Sequence, residues 1–210
     1  MNYFEHEYIS ASDIKKFIKQ VNGNATPEPE NLQEIFDLGT LIHSMILEPH
    51  YVNKEADPED LTLARKMKDT FFKDAICQMI VSRHDFIREH EFYGSVEVGG
   101  MRYNARCKCD GVSVGMSTIL ELKGLSITNK KAFDASIDML NYDLAAVHYM
   151  LCTGAKMMLI VAISKKKPDL MFKKVIKKHD EVYAWGEHKL IQAMEQWRDL
   201  SPEDIKLTTK

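Results

Sequence analysis

The sequence predicts a mixed α/β fold, α+β in its strand order, with helices first, a mixed sheet in the middle and a helix last. Three observations carry this. Up to about residue 90, apolar side chains recur at helical spacing. After Phe92 the period changes to two, and Gly99-Gly100 separates two alternating runs, a hairpin signal. The apolar run AKMMLIVAIS (155–164) then suits a fully buried strand and is too short to span a membrane. The early antiparallel hairpin argues against a doubly wound parallel sheet.

Each element has its own signal. Ser10 is placed to cap a helix from about Ala11 to Gln20, with Asp13 three residues on. NGNATPEPE (22–30) reads as a loop. LQEIFDLGTLIHSMILE (32–48) reads as a helix with Leu32, Ile35, Phe36, Gly39, Ile42, His43, Ile46 and Leu47 on one face, stopped by Pro49. DPEDLTLARKMKDTFFKDAICQMI (57–80) reads as one helix, with Asp57 as cap and Pro58 in its first turn. EFYGSVEV (91–98) and MRYNARCKCDGV (101–112) are the hairpin strands, and STILELKG (117–124) is the third. Thr128 or Asn129 opens a helical stretch that ends near Gly154 and breaks around Asn141. LMFKKVIKK (170–178) is expected as an edge strand, and about 180–200 as an amphipathic helix.

Composition limits the classes available. The 210 residues, 45% hydrophobic, suit one domain: a helical part over 1–90, a sheet and helix over 91–178, and a C-terminal helix over 179–210. Net charge is −3, so the total does not advertise a polyanion partner. Lys165, Lys166, Lys167, Lys173, Lys174, Lys177 and Lys178 are nonetheless crowded together. They form either a solvated face or a local phosphate-binding surface. The four cysteines include no CxxC pair, and MNYFEHEY lacks a signal-peptide pattern, so a reduced, cytoplasmic protein is expected, with no membrane partner. Cys107 and Cys109 are most simply core residues, because an iron–sulfur cluster needs more ligands at wider spacing.

Side chains alternate along a strand. Ala105, Cys107 and Cys109 therefore face the core, with Arg106, Lys108 and Asp110 on the other side. Ile119, Glu121 and Lys123 likewise share a face. If the two strands are neighbours, Asp110 joins Glu121, and mutual repulsion raises a carboxyl pKa unless a cation intervenes. Mg²⁺, a hard ion, is typically held by one or two carboxylates plus waters and a substrate phosphate. Lys123 is then placed to hold a water or to balance phosphate charge. The alternatives are an exposed Glu121–Lys123 ion pair worth little and an ordinary turn at Asp110-Gly111. His43, on the apolar face of its helix, is either a hydrogen-bonded core residue or a group aimed at the carboxylates. Gly39, one turn earlier, costs roughly 1 kcal/mol of helix propensity but permits close backbone approach.

In this order, YISASDIKKF, GTLIHSMILEP, Asp110, Glu121-Leu-Lys123 and a helix with Tyr142 and Tyr149 resemble the PD-(D/E)xK nuclease superfamily, nearest its RecB-like and RecE-like exonucleases (exodeoxyribonuclease VIII and phage relatives). The resemblance spans residues 8–149. It implies a restriction-endonuclease-like core and a Mg²⁺- or Mn²⁺-dependent deoxyribonuclease acting on linear duplex ends, in phage or bacterial recombination or repair. It implies that His43, Asp110, Glu121 and the Leu122 carbonyl ligate the metal, with Glu91 as an additional acid for which Glu89 and Glu97 compete. Lys123 would position or activate the attacking water. Tyr142, Tyr149, Lys130, Lys131, Ser12 and Arg106 are candidate DNA contacts, although the tyrosines also fit a partly buried structural role. A single-strand annealing protein is the implied partner, and a ring-shaped homo-oligomer the implied assembly. One departure stands out: where the family often carries Gln, this chain has Ala145.

Overall fold

The computed structural model describes residues 8–23 and 31–199. Four helices come first: α1 (Ala11–Val21), α2 (Leu32–Leu47), α3 (Pro58–Lys73) and α4 (Ala75–Val81). Then follow β1 (Phe86–Val98), β2 (Met101–Ser113), β3 (Thr118–Leu125), α5 (Lys130–Met139), α6 (Tyr142–Thr153), β4 (Met157–Ser164), β5 (Met171–Lys177) and α7 (Glu181–Asp199). The strands form one mixed sheet in sequence order, with only the β3–β4 pair parallel. The fold is the mixed α/β arrangement the sequence predicts.

The sheet separates two apolar layers. Ile119, Met158, Ile160 and Ala162 face α1, α5, α6 and α7, where they meet Phe17, Phe133, Leu144 and Tyr183. Leu120, Leu122, Leu159, Val161 and Ile163 face α2, α3 and α4, where they meet Ile42, Met67, Phe71 and Cys77. β3 and β4 are thus buried on both faces, which explains their nearly continuous apolar sequence. β5 is an edge strand that bears lysines, a common protection against edge-to-edge pairing.

Local signals account for most boundaries. Ser10 and Asp13 form a reciprocal capping box at α1, and Asp57 caps α3 through the Glu59 and Asp60 N–H groups. Asn141, left-handed with φ 50°, separates α5 from α6. Three expectations need correction. The single helix expected over 57–80 is two helices, because Asp74 leaves the helix and accepts from the Ile76 and Cys77 N–H groups at 3.1 and 3.0 Å, capping α4. β1 begins at Phe86, not Glu91; its ring lies over Gly111, where an added Cβ would come within 2.1 Å of it. The apolar face of α2 is fully buried only from Leu41 onward, with Leu38 half-buried and Ile35 and Phe36 exposed. Most of the loop expected over 22–30, and residues 200–210, lie outside the described residues.

Candidate active site

The site forms where two strands part. β2 and β3 pair only from Gly111–Leu120 to Ser113–Thr118. Beyond that, β2 continues with β1, and its freed edge is taken by Ile9: the Ile9 N–H donates to Asn104 O at 2.9 Å, and the Arg106 N–H donates to Ile9 O at 3.0 Å. This delivers α1 to the opening. Asp110 and Glu121 are the first residues past the last pair. The Asp110 carboxylate accepts the Leu122 N–H at 2.6 Å, serving the backbone group that a continued ladder would have paired.

Strand alternation slips at the same level. Cys109 and Val112, three residues apart, both belong to the α5–α6 layer. On β1, Phe86 lies in one layer and Phe92 packs on the other, although an even spacing separates them. Glu89 falls between the pairs Arg88–Gly111 and His90–Cys109, opposite Asp110, with φ +46°. That conformation is uncommon for a non-glycine residue and is a form of strain that clusters at functional sites.

His43, from α2, closes the opening. Its Nε2 lies 3.1 Å from Leu122 O, and its Nδ1 lies 3.3 Å from Asp110 Oδ1 and 3.6 Å from Glu89 Oε1. Lys123 Nζ donates to Glu121 Oε1 at 2.5 Å, and Lys108 Nζ lies 3.1 Å from Glu89 Oε2. The other Glu121 oxygen, Oε2, is buried and meets no donor among the described residues.

The electrostatics follow from this crowding. Burial pushes the Glu121 carboxyl up, and the Asp110 charge pushes it further. Burial acts on Asp110 in the same direction, but His43 and Lys123 outweigh it and hold that carboxyl below its ordinary value. Burial opposes charge on His43, yet Asp110 and Glu89 raise its pKa to about 10. Lys123 is likewise raised, because Glu121 and Asp110 overcome its burial, so it stands as an ammonium.

These groups can hold a divalent cation. His43, Glu89 and Asp110 each offer a ligand atom within 4.8 Å of the others. Glu121 adds a buried oxygen without a donor, and Leu122 a carbonyl. Oxygen-rich donor sets with one imidazole suit a hard or borderline ion.

The remaining candidates divide. Tyr142 is half-buried beside the cluster; burial raises its hydroxyl pKa, and Lys123 and Glu121 both act on it. Tyr149 instead packs against the core beside His148. Ser12 is exposed on α1, while Ser10 does the capping. Lys130 and Lys131 are exposed at the start of α5, and Lys130 is paired with Asp134. Arg106 is corrected: it is 3% exposed and bonds Asp13 at 3.2 Å, because the residue 8–10 segment and α1 cover the face that alternation left to solvent. Glu91 is also corrected: it accepts from the Tyr93 hydroxyl at 3.0 Å, and Glu89 is the acid at the cluster. An added Cβ at Gly39 would meet nothing within 4 Å, so no close backbone approach requires this glycine; it lines a cavity of about 330 Å³ that also borders His43, Glu89 and Lys108.

Lys15 is the residue that sequence reasoning passed over. It stands half-buried on α1 with its Nζ 5.0 Å from the centre of the Tyr142 ring. Burial lowers its pKa to about 8, and Lys123 adds to the effect. Its place in the SASDIK stretch was the available signal.

No protein-family model matches the chain, and no curated protein is significantly similar to it. Its structure is similar to that of a protein from Eubacterium rectale provisionally described as an exonuclease, with a TM-score of 0.61 and 16% identity over 97% of this chain and 81% of that one. An alkaline exonuclease from Laribacter hongkongensis (TM-score 0.41, 14% identity, 96% and 91% covered) and a phage-related exonuclease from Haemophilus somnus (0.45, 11%, 93% and 95%) align more loosely, below the level at which a common fold follows. Among the described residues, no helix is long and apolar enough to cross a membrane. The shared fold is that of the Eubacterium rectale protein.

Proposed function

We propose that this chain is a divalent-metal-dependent nuclease of the PD-(D/E)xK type that hydrolyses DNA phosphodiester bonds, acting on the ends of linear duplexes. One observation carries the reading: Asp110, Glu121, the Leu122 carbonyl, His43 and Lys123 converge where β2 leaves β3. The order of motifs along the sequence supports the family, and the likeness to the Eubacterium rectale structure supports the fold.

His43, Asp110, Glu121 and the Leu122 carbonyl would hold Mg²⁺ or Mn²⁺, with Glu89 alongside. Such an ion neutralises phosphate charge and lowers the pKa of water. The chain's own groups do the rest. Asp110 braces the Leu122 amide and so fixes the orientation of the neighbouring carbonyl. Lys123, held as an ammonium, orients the attacking water and offsets the negative charge that grows on the phosphate oxygens as the new P–O bond forms and the old one breaks. A raised pKa suits that role better than proton abstraction. Tyr142 borders the space the substrate strand would occupy. Phosphate contacts position DNA without reading its sequence, so cleavage is expected to show little sequence preference.

The end requirement, a recombination or repair setting, a single-strand annealing partner and a ring-shaped oligomer come from the RecE-like resemblance. Ala145 bears on the contacts made by α6, not on the acidic cluster. The test is incubation with end-labelled linear duplex and covalently closed circles in Mg²⁺, Mn²⁺ or EDTA, alongside Lys123→Ala and Asp110→Ala. Metal-dependent loss of the linear substrate alone, absent from both variants, is expected. Cutting of closed circles would remove the end requirement. Inertness on every substrate with DNA binding intact would replace the enzyme with a binding protein.

A further inference from the structure

Several lysines around the site are committed to carboxylates, and Lys15 is not. Lys123 holds Glu121, Lys108 holds Glu89, and Lys189 spans Asp138 and Asp143. Among the described residues, Lys15 has no hydrogen bond or ion pair; its ammonium rests only against the face of the Tyr142 ring. That ring lies beside Lys123 and Glu121, whose charges act on both Tyr142 and Lys15.

A half-buried ammonium without an anion is costly, and an aromatic face repays only part of the lost hydration. The arrangement is nonetheless fixed from three directions. The capping box sets the start of α1. The Asp13–Arg106 pair ties α1 to β2, and Ile14 and Phe17 bury the next face of the helix. Lys15 is therefore held near the cluster with no carboxylate in direct contact among the described residues, as a preorganised anion ligand would be.

We infer that Lys15 is a substrate-contacting residue, with its ammonium, seated on Tyr142, binding a backbone phosphate oxygen of the nucleic acid strand that enters the cluster. The inference rests on the nuclease reading for its substrate class. No bond is made or broken by Lys15; its contribution is charge at a fixed place. The ligand class is a phosphodiester backbone, so the contact is indifferent to base identity and sensitive to salt.

The test is a cycle between the side chain and the phosphate charge. Short duplexes with a single-stranded end carry one uncharged methylphosphonate, moved in turn through the terminal phosphates. Affinity is measured in EDTA, where hydrolysis is blocked, and cleavage in Mn²⁺, for wild type, Lys15→Met and Lys15→Arg. At one position the wild type should lose roughly tenfold in affinity, while Lys15→Met shows that loss on unmodified DNA and no further loss at that position. Its salt dependence should flatten by about one counterion, and Lys15→Arg should recover most of the affinity. If Lys15→Met does not fold by thermal melting, Lys15→Gln takes its place. Losses that multiply at every position, or wild-type affinity in the neutral variants, would overturn the inference. A wild type that shows the cycle in EDTA but never cleaves would leave Lys15 supported and overturn hydrolysis.

Discussion

Tyr142 and Asp143 are adjacent at the start of α6, yet they border two charge clusters built in opposite ways. Asp143, 1% exposed, accepts from the Leu144 N–H at 2.8 Å and from Lys189 at 2.7 Å. Lys189 also reaches Asp138, which takes the Trp185 indole N–H at 3.1 Å. Gly186 lets α7 press close here: an added Cβ would come within 2.5 Å of the Asp143 backbone. Every carboxylate oxygen of Asp143 is satisfied, and the cluster fastens α7 to α6. Beside Tyr142, by contrast, Glu121 keeps a buried oxygen without a donor among the described residues, and two acids, Glu89 and Asp110, crowd around His43. A satisfied buried network stabilises; an unsatisfied one in a native fold marks strain, a catalytic role or a place for a water or an ion.

The largest effect expected from this contrast is on turnover. Lys123→Ala or Asp110→Ala should lower cleavage of linear duplex DNA by about a thousandfold or more, equal to about 4 kcal/mol of transition-state stabilisation. Next is stability at the closed cluster. Lys189→Met leaves Asp143 buried without its cation and should cost about 3 kcal/mol in urea unfolding, with kcat little changed. Equal losses of activity at both clusters would erase the distinction between them.

A third effect tests a fully satisfied histidine on the same helix. His148, with no exposed surface, takes the Tyr103 hydroxyl at Nδ1 (3.0 Å) and donates from Nε2 to Arg106 O (3.0 Å). Burial holds its pKa down at about 4. As pH falls from about 6.5 to 4, the unfolded chain binds the proton that the folded one refuses, so stability declines as pH falls through that window. The decline should reach about 2.5 kcal/mol near pH 4.5 and be nearly absent above about pH 7. His148→Gln should flatten that part of the profile. The smallest effect separates two neighbouring acids. Glu89→Gln should slow cleavage roughly tenfold, a typical loss for a group that supports a metal site. Glu91→Ala should change it less than twofold, the usual result for an exposed side chain.

Much of this was legible in the sequence. The capping pair Ser10 and Asp13, the Gly99-Gly100 turn, the left-handed Asn141 and the doubly buried β4 all announce themselves through local chemistry. The nearness of Asp110 to Glu121, just past the last β2–β3 pair, followed from strand adjacency. What was not legible depends on departures from regular geometry. Glu89, Glu91 and Glu97 share strand parity, and nothing local separates them; the slip opposite Asp110 brings Glu89 to His43. Arg106 reads as exposed by alternation, but Ile9 and Asp13 occupy the edge that β3 vacates. The break at Asp74 is invisible because apolar spacing continues across it, and only the cap on the next turn reveals it. Lys15 is one lysine among several until the fold sets it on Tyr142.

The central claim is that the cluster around His43, Asp110 and Glu121 is left open for a divalent cation. Calorimetric titration of Mn²⁺ into the metal-free protein tests it most directly, with Asp110→Asn and Asp143→Asn titrated in parallel. Saturable binding is predicted for wild type and Asp143→Asn and its loss for Asp110→Asn, with thermal stability rising by about 3 kcal/mol when free Mn²⁺ reaches a hundred times its Kd. No saturable binding to wild type, or equal binding to Asp110→Asn, would contradict the account.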